Sequence, residues 1–360
     1  MDSEEIVILG AGLAGLTAAF ELEKAGIPYL ILEARDRIGG RVLTITTDTG
    51  AIIEMGATWF ADKHTHLMEL IMDLEVPYQK QYTGSCVLYD YANPDRTIQL
   101  FELPLSNESQ YLFTNGTQSL LDALYQRIYS KQIRLGQQVQ KLVFEENGVR
   151  ITANGQEILS ERVISTLPPH LFLNTIRVSP DFPSGVAEVL GQTHTWMGES
   201  IKAGLEYAEG FWRKREIGTL LSQFGPVQEL HDHQHDGKEG YVLKGFVSPD
   251  LHLQGKEVRA EKVSEQMKLY FGEELPEATY YEKDWQRDPL TFFPYSSTPV
   301  PHQNNGHPLL RESFFDGRLY FAGSETAQAF PGYLDGAIER GQSVVHSLLQ
   351  EFSGKAQKFS

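Results

Sequence analysis

A chain of 360 residues, 41% hydrophobic and 22% charged, is long enough for two domains with cores of their own. Its net charge of −17 makes it a poor candidate for nucleic acid or an anionic membrane surface, while its field draws cationic small molecules. A single cysteine, Cys86, excludes an intramolecular disulfide and fits a reducing compartment, so a cytoplasmic location is expected. The thiol has no evident base partner in the sequence and reads as inert. No apolar run approaches the roughly 20 residues that span a bilayer, and the first strand begins too near Met1 for a signal peptide to be expected.

Ile6 to Leu9 is a short apolar run without helical period, as suits a buried parallel strand. Gly10, Gly12 and Gly15 follow in the spacing G-x-G-x-x-G. The first permits a tight turn, the second lets a phosphate approach the backbone, and the third lets the next helix lie close to the sheet. Leu13 to Ala25 carries helical spacing, with Gly26 as its C-cap. Its N-terminus offers free N–H groups and the positive end of the helix dipole to an anion. Tyr29 to Leu32 reads as the second strand, closed by Glu33, where an acid can hold a ribose hydroxyl. A second turn, Ala34-Arg35-Asp36-Arg37-Ile38-Gly39-Gly40-Arg41, supplies further donors. A nicotinamide-binding unit does not need them; a bulky flavin with its ribityl chain does.

Thr44 to Ile53 reads as strand, turn and strand, followed by Glu54-Met55-Gly56-Ala57-Thr58-Trp59-Phe60, where small residues admit something flat between apolar walls. Leu67 to Leu74 predicts a helix, and 78–112 predicts strands and loops with turns at 93–95 and 106–107. A helix is expected over Ser119 to Tyr129, then strands over Ile133 to Val139, Leu142 to Glu145, Val149 to Ala153 and Arg162 to Leu167. Ile201 to Tyr207 and Tyr241 to Val247 read as strands, and Val258 to Phe271 as a helix. The acidic, glycine-bearing stretch holding His231, His233 and His235 reads as a solvated hairpin turn, not as a metal site. Arg318 to Gly323 predicts strand into turn, Tyr333 to Leu349 a long helix, and the last nine residues a frayed tail.

The stretch from Glu33 to Arg41, together with GSETAQAFPGYLDGA at 323–337, resembles the flavin amine oxidase superfamily, which includes monoamine and polyamine oxidases, L-amino acid oxidases and carotenoid desaturases. The resemblance implies an α/β fold: a Rossmann-like FAD-binding domain of the glutathione-reductase type, plus an interleaved α+β substrate domain with a mixed sheet. The expected division is 1–75, 115–191 and 288–360 for FAD, and 76–114 and 192–287 for substrate. It implies a cofactor set of Gly10, Gly12, Ala14, Gly15, Glu33, Ala34, Arg35, Gly40, Arg41, Gly56, Ala57, Thr58, Val139, Trp285, Gly323, Ser324, Glu325, Gly332, Tyr333, Leu334 and Ala337. Glu325 is expected to hold a ribityl hydroxyl, and Val139 to meet the adenine. Pro294 stands where monoamine oxidases carry the cysteine that bonds the flavin, so FAD is expected to be non-covalent.

Three further features point to the chemistry. Lys202, in G-E-S-I-K-A-G, resembles the lysine that binds a water beside the flavin in monoamine oxidases. Tyr295 and Tyr333 resemble the paired aromatic cage that guides an amine, with Trp59 and Phe60 as added pocket walls. No arginine follows Gly56-Ala57 to grip a carboxylate, which favours plain amines over amino acids. The implied activity is oxidation of an amine to an imine, with oxygen as acceptor and hydrogen peroxide as product. A desaturase or dehydrogenase of a larger metabolite with another acceptor, or a non-catalytic flavin-binding regulator, remains as an alternative. The segment 61–115 is much shorter than in monoamine oxidases, so a shallower, more open cavity that admits a bulky amine is expected.

Overall fold

The computed structural model describes residues 3–91, 98–102, 109–129, 132–297 and 299–358. The turns expected at 93–95 and 106–107 lie outside them. Ser3–Leu9 is a parallel strand between Tyr29–Leu32 and Gln156–Ser165. Ile6, Val7, Ile8 and Leu9 are buried, as the unbroken apolar run requires of a strand covered on both faces. Leu319–Phe321 adds in parallel to Gln156–Ser165, so strands from both ends of the chain share one nine-stranded sheet. Helix Leu13–Ala25 packs between this sheet and helix Leu334–Lys358. A Cβ on Gly15 would stand 2.0 Å from the Gly10 carbonyl oxygen, so only glycine lets that helix start so near the turn.

A second, seven-stranded sheet runs Thr279–Asp284, Ile201–Tyr207, Tyr241–Val247, Val227–Asp232, Ile217–Ser222, Cys86–Asp90 and Ile98–Glu102. It is antiparallel except where Cys86–Asp90 pairs in parallel with Ile217–Ser222, and is therefore mixed. Helix Lys256–Phe271 covers it through Val263, Met267 and Tyr270. The hairpin Thr44–Thr46/Ile52–Glu54 connects the two halves, packing Ala51, Ile53 and Met55 against Val242. The α/β class with a second mixed-sheet unit is thus observed.

Several elements differ from expectation. Tyr78–Lys80 and Gln110–Phe113 join Phe60–Ala61 in a separate three-stranded sheet instead of the large mixed one. The strand expected over 133–139 splits into Ile133–Arg134 and the start of Val139–Glu145, because Gly136 turns in the left-handed region with φ +66°. The last helix continues past Leu349 to Lys358. Strands Ile217–Ser222 and Val227–Asp232 and helices Pro169–Thr175 and Ser184–Gln192 were not foreseen. No helix among the described residues is long and apolar enough to cross a membrane.

Candidate active site

A long cavity opens at the carboxyl ends of strands Ser3–Leu9 and Tyr29–Leu32 and runs to the seven-stranded sheet. This is where ligands bind in open α/β sheets. At its near end lie Gly10, Gly12, Leu13 and Ala14. Gly10 turns with φ +103°. Gly12 caps helix Leu13–Ala25 with no side-chain bond, which leaves the first-turn N–H groups without a side-chain partner, as an anion site needs. Gly39 N donates to Ala11 O at 2.8 Å, so the second glycine turn lies directly on the first. Glu33 accepts from Ala11 N (2.7 Å) and Arg35 N (2.8 Å), and lines the same end with Ala34, Gln137, Gln138 and Val139.

The two arginines of the turn are held differently. Arg35 lines the cavity and donates to both Asp288 oxygens (3.0 and 3.1 Å) and to Thr291 Oγ1 (2.8 Å). Arg41 forms a fork on Glu325 (2.5 and 2.9 Å) and reaches Ser324 Oγ and the Trp196 carbonyl. Burial alone would raise the Glu325 carboxyl; the Arg41 charge and its hydrogen bonds hold it below the usual range. Gly40, Arg41, Gly56, Ala57, Thr58, Ser324, Gly332, Leu334 and Ala337 all line the cavity.

The far end is aromatic, with Trp59, Trp196, Phe246, Trp285 and Tyr333 around Lys202. Trp285 is fixed by its indole N–H, which donates to Met55 O at 2.7 Å. Every residue of strand Ile201–Tyr207 is buried, so Lys202 does not face solvent. Its Nζ donates to Gly56 O at 2.5 Å and stands 5.1 Å from the Phe246 ring centre. Burial pushes this ammonium down to about 8, against an opposing pull from Glu54. Tyr333 is 41% exposed at the mouth. Trp196 lies nearly parallel to it, 6.1 Å between ring centres at 26°, and His302 stacks on Trp196 at 3.8 Å.

The cavity's chemistry fits FAD. An acid and a backbone strand end suit the nucleoside, unpartnered helix N–H groups suit the pyrophosphate, and an apolar end with one ammonium suits the isoalloxazine.

Five expected site residues stand off the cavity wall. Gly15 serves helix packing. A Cβ on Gly323 would meet Leu167 O at 3.0 Å, so it lets two strand ends approach each other. The Glu325 carboxylate is fully buried and committed to Arg41 and Trp196 N, which places it behind the wall and not on a ribityl chain. Phe60 packs in an aromatic cluster with Tyr78, Tyr111 and Phe113. Tyr295 stacks on His170 at 3.9 Å; its hydroxyl accepts from Thr195 N and donates to Thr193 O. With its polar tip satisfied there, and with Phe293-Pro294 preceding it, Tyr295 faces a separate shallow groove. The paired cage of Tyr295 and Tyr333 is therefore not formed. Trp196 takes the place beside Tyr333, and sequence spacing offered no signal for it.

The histidine stretch is also corrected. His233 and His235 are buried, with their Nε2 atoms 3.2 Å apart, and His235 Nδ1 bonds to Phe113 O. Burial drives both imidazoles toward the neutral form, His235 down to about 4. No group of three His, Cys, Asp or Glu among the described residues is placed to hold a metal ion. Cys86 is buried and unbonded to another cysteine.

This combination of dinucleotide cleft and aromatic, lysine-bearing end suits a flavin-dependent oxidoreductase. A family profile described as "Flavin containing amine oxidoreductase" matches residues 13–98 and 95–349, and the chain belongs to that family. It is an FAD-dependent amine oxidase. Similar proteins include a probable flavin-containing monoamine oxidase A of Dictyostelium discoideum, 24% identical with 94% of this chain and 95% of that one covered. Polyamine oxidase 2 of Arabidopsis thaliana is 22% identical, with 94% and 86% covered. Among solved structures, cyclohexylamine oxidase from Brevibacterium oxydans IH-35A aligns with a TM-score of 0.85 at 19% identity, covering 97% of this chain and 99% of that one. A putrescine oxidase variant gives 0.83 at 20% with the same coverage. The Dictyostelium alignment spans 444 positions, more than the 360 residues here, so that relative carries insertions this chain lacks.

Proposed function

We propose that this protein oxidises an amine that enters over Tyr333 and reacts as the neutral base, with molecular oxygen as the electron acceptor and hydrogen peroxide as product. The observation that carries the reading is the single cavity that joins the glycine turn at Gly10–Gly12 to a buried ammonium, Lys202, beside the Tyr333–Trp196 wall. When bound, FAD would supply the oxidising power as acceptor of a hydride equivalent from the carbon next to the neutral nitrogen; the iminium ion left by that loss gives its proton to water and becomes the imine. The chain's own residues bind, orient and exclude water.

Gly12, Leu13, Ala14 and Gly40 would hold the pyrophosphate, while Glu33 and Val139 would hold the adenosine end. Arg35 steadies that end through Asp288. Cys86, the chain's sole cysteine, does not line the cavity, so the FAD would be non-covalent. Trp196 and Tyr333 stand side by side and not face to face, since His302 stacks on Trp196 at 3.8 Å but lies 6.5 Å from the Tyr333 ring. They present one continuous π-surface, which attracts the amine's positive end and lets the neutral amine slide past. Lys202 holds its proton at Nζ against Gly56 O and fixes charge and water at the reacting end. The exposure of Tyr333 supports an open mouth that takes a bulky amine. The cytoplasm suits an enzyme whose sole thiol is unpaired.

The test is to supply primary and secondary amines in air and to measure oxygen uptake and peroxide together. Peroxide release matching oxygen uptake supports the reading. Amine turnover without oxygen uptake, sustained by an artificial acceptor, overturns the choice of oxygen.

A further inference from the structure

Three tryptophans line the far end of the cavity, and they are not held alike. Trp285 donates its indole N–H to Met55 O at 2.7 Å, and Trp59 donates its own to Gln81 Oε1 at 3.0 Å. Trp196 is tied through its backbone alone. Its N–H donates to the Glu325 carboxylate and its carbonyl accepts from Arg41, while its indole N–H makes no hydrogen bond among the described residues.

Packing must therefore hold this indole. His302 stacks on one face, 3.8 Å between ring centres at 23°. The root of the side chain lies against Gly332, where a Cβ would stand 2.7 Å from Trp196 Cβ and Cγ. Tyr333 stands beside the indole at 6.1 Å, and its plane is within 3° of the His302 plane at 6.5 Å. These three distances make nearly a right angle at Trp196, so His302 covers a face of the indole and Tyr333 meets its edge. Trp196 and Tyr333 line the cavity and His302 does not, so the covered face is the outer one.

His302 is itself a fixed point. Its N–H donates to His194 Nδ1 at 3.2 Å, and His194 N donates to Gln303 O at 2.9 Å. The segment that carries Trp196 is thus laced to the segment that carries its stacking partner. Gly306 N closes the same loop on Glu325 O at 2.7 Å. His302 and Asn304 sit at φ +63° and +56°, a left-handed conformation that side chains rarely adopt. Such residues persist where surrounding bonds over-determine them, as they do here, and they gather at ligand clamps.

Resting on the reading of the Trp196–Tyr333 wall given above, we propose that His302 is a positioning residue of the reaction. Stacked on the outer face of Trp196, it holds the indole in line with Tyr333 and so sets how tightly the amine is bound. His302 touches neither amine nor cofactor. Without it the indole turns about its side-chain bonds and the wall parts from Tyr333, while the reacting end around Lys202 stays as it was.

The experiment uses FAD-loaded protein carrying 5-fluorotryptophan and follows it by fluorine NMR. Each of the 4 tryptophans gives one resonance, and that of Trp196 is assigned by its disappearance in Trp196→Phe. In His302→Ala the Trp196 resonance broadens or splits, as a ring in more than one rotamer does, and those of Trp59, Trp212 and Trp285 stay sharp. KM for amines rises about two- to tenfold, the worth of one aromatic pair, with kcat within about twofold of wild type. His302→Phe, which restores a flat ring without the imidazole, returns both the resonance and KM. A merely structural loss would disturb several resonances, lower kcat and resist rescue by phenylalanine. A Trp196 resonance as narrow and single as in wild type, or an unchanged KM, overturns the proposal. Should His302→Ala fail to take up FAD, His302→Gln keeps the length and removes the ring, and the same two readouts decide. If no amine is oxidised at all, the reading on which this rests is refuted instead, and the fluorine resonance still decides whether His302 holds Trp196.

Discussion

Lys202 and Tyr295 divide the residue-scale account. Both were picked out by resemblance, yet one lies at the cavity's aromatic end and the other in a neighbouring groove. A lysine in an apolar strand announces itself, because burying an ammonium needs a partner, and the Gly56 carbonyl is that partner. Lys244, in the strand YVLKGFV, carries the same signal and is likewise buried. A loop tyrosine gives no such signal, since its hydroxyl is satisfied by whatever backbone groups the fold brings to it, here Thr195 N and Thr193 O. The Lys202→Met variant is expected to keep FAD and lose the limb near pH 8 from the profile of kcat at saturating amine. The stability sign is fixed too. For a base whose folded value is depressed, the unfolded chain binds more protons above about 8, so stability rises with pH from there toward the ordinary lysine value. Denaturant titrations across that window should be flatter in Lys202→Met than in wild type. Tyr295→Phe should cost about 1 to 2 kcal/mol of stability through its lost hydrogen bonds and leave KM for amines within about twofold. A large rise in KM would return Tyr295 to the amine's path.

Among the elements, those with strong local signals were legible. Helix Leu13–Ala25 and strands Tyr29–Leu32, Ile201–Tyr207 and Tyr241–Val247 stand at the residues where periodicity and glycine punctuation placed them. Strands Ile217–Ser222 and Val227–Asp232 were not, because their identity depends on pairing across the mixed sheet. Burial of His233 and His235 follows from that same pairing and from the Phe113 carbonyl, more than 100 positions away in sequence. The turn from strand to helix at Gly10–Gly15 is the tightest junction of the site. Gly15→Ala would press a methyl group against the Gly10 carbonyl backbone, which cannot yield. The expected result is purified protein with little bound FAD and a melting point lower by several degrees, a loss of about 1 to 3 kcal/mol. Full FAD content would mean that the helix start does not touch the pyrophosphate.

At the scale of the whole molecule, the opening glycine turn and the closing stretch that carries Ser324, Gly332 and Tyr333 come from opposite ends of the chain and line one cavity. Sequence motifs made that legible. The joining of the two halves through the hairpin Thr44–Glu54 arises only in three dimensions. Because the cavity runs between the two halves, FAD should stabilise both together. Raising free FAD to about 100 times its dissociation constant should add about 2.7 kcal/mol and shift a single melting transition upward. Two transitions, of which only one moves, would show that the halves are not coupled through the site. The most direct measurement is anaerobic mixing of the FAD-loaded protein with a panel of amines while the oxidised-flavin absorbance is recorded. The account predicts that at least one amine bleaches the flavin in a saturable way, slowed by Lys202→Met and weakened by Trp196→Ala. A flavin that dithionite reduces but that no amine bleaches would contradict it.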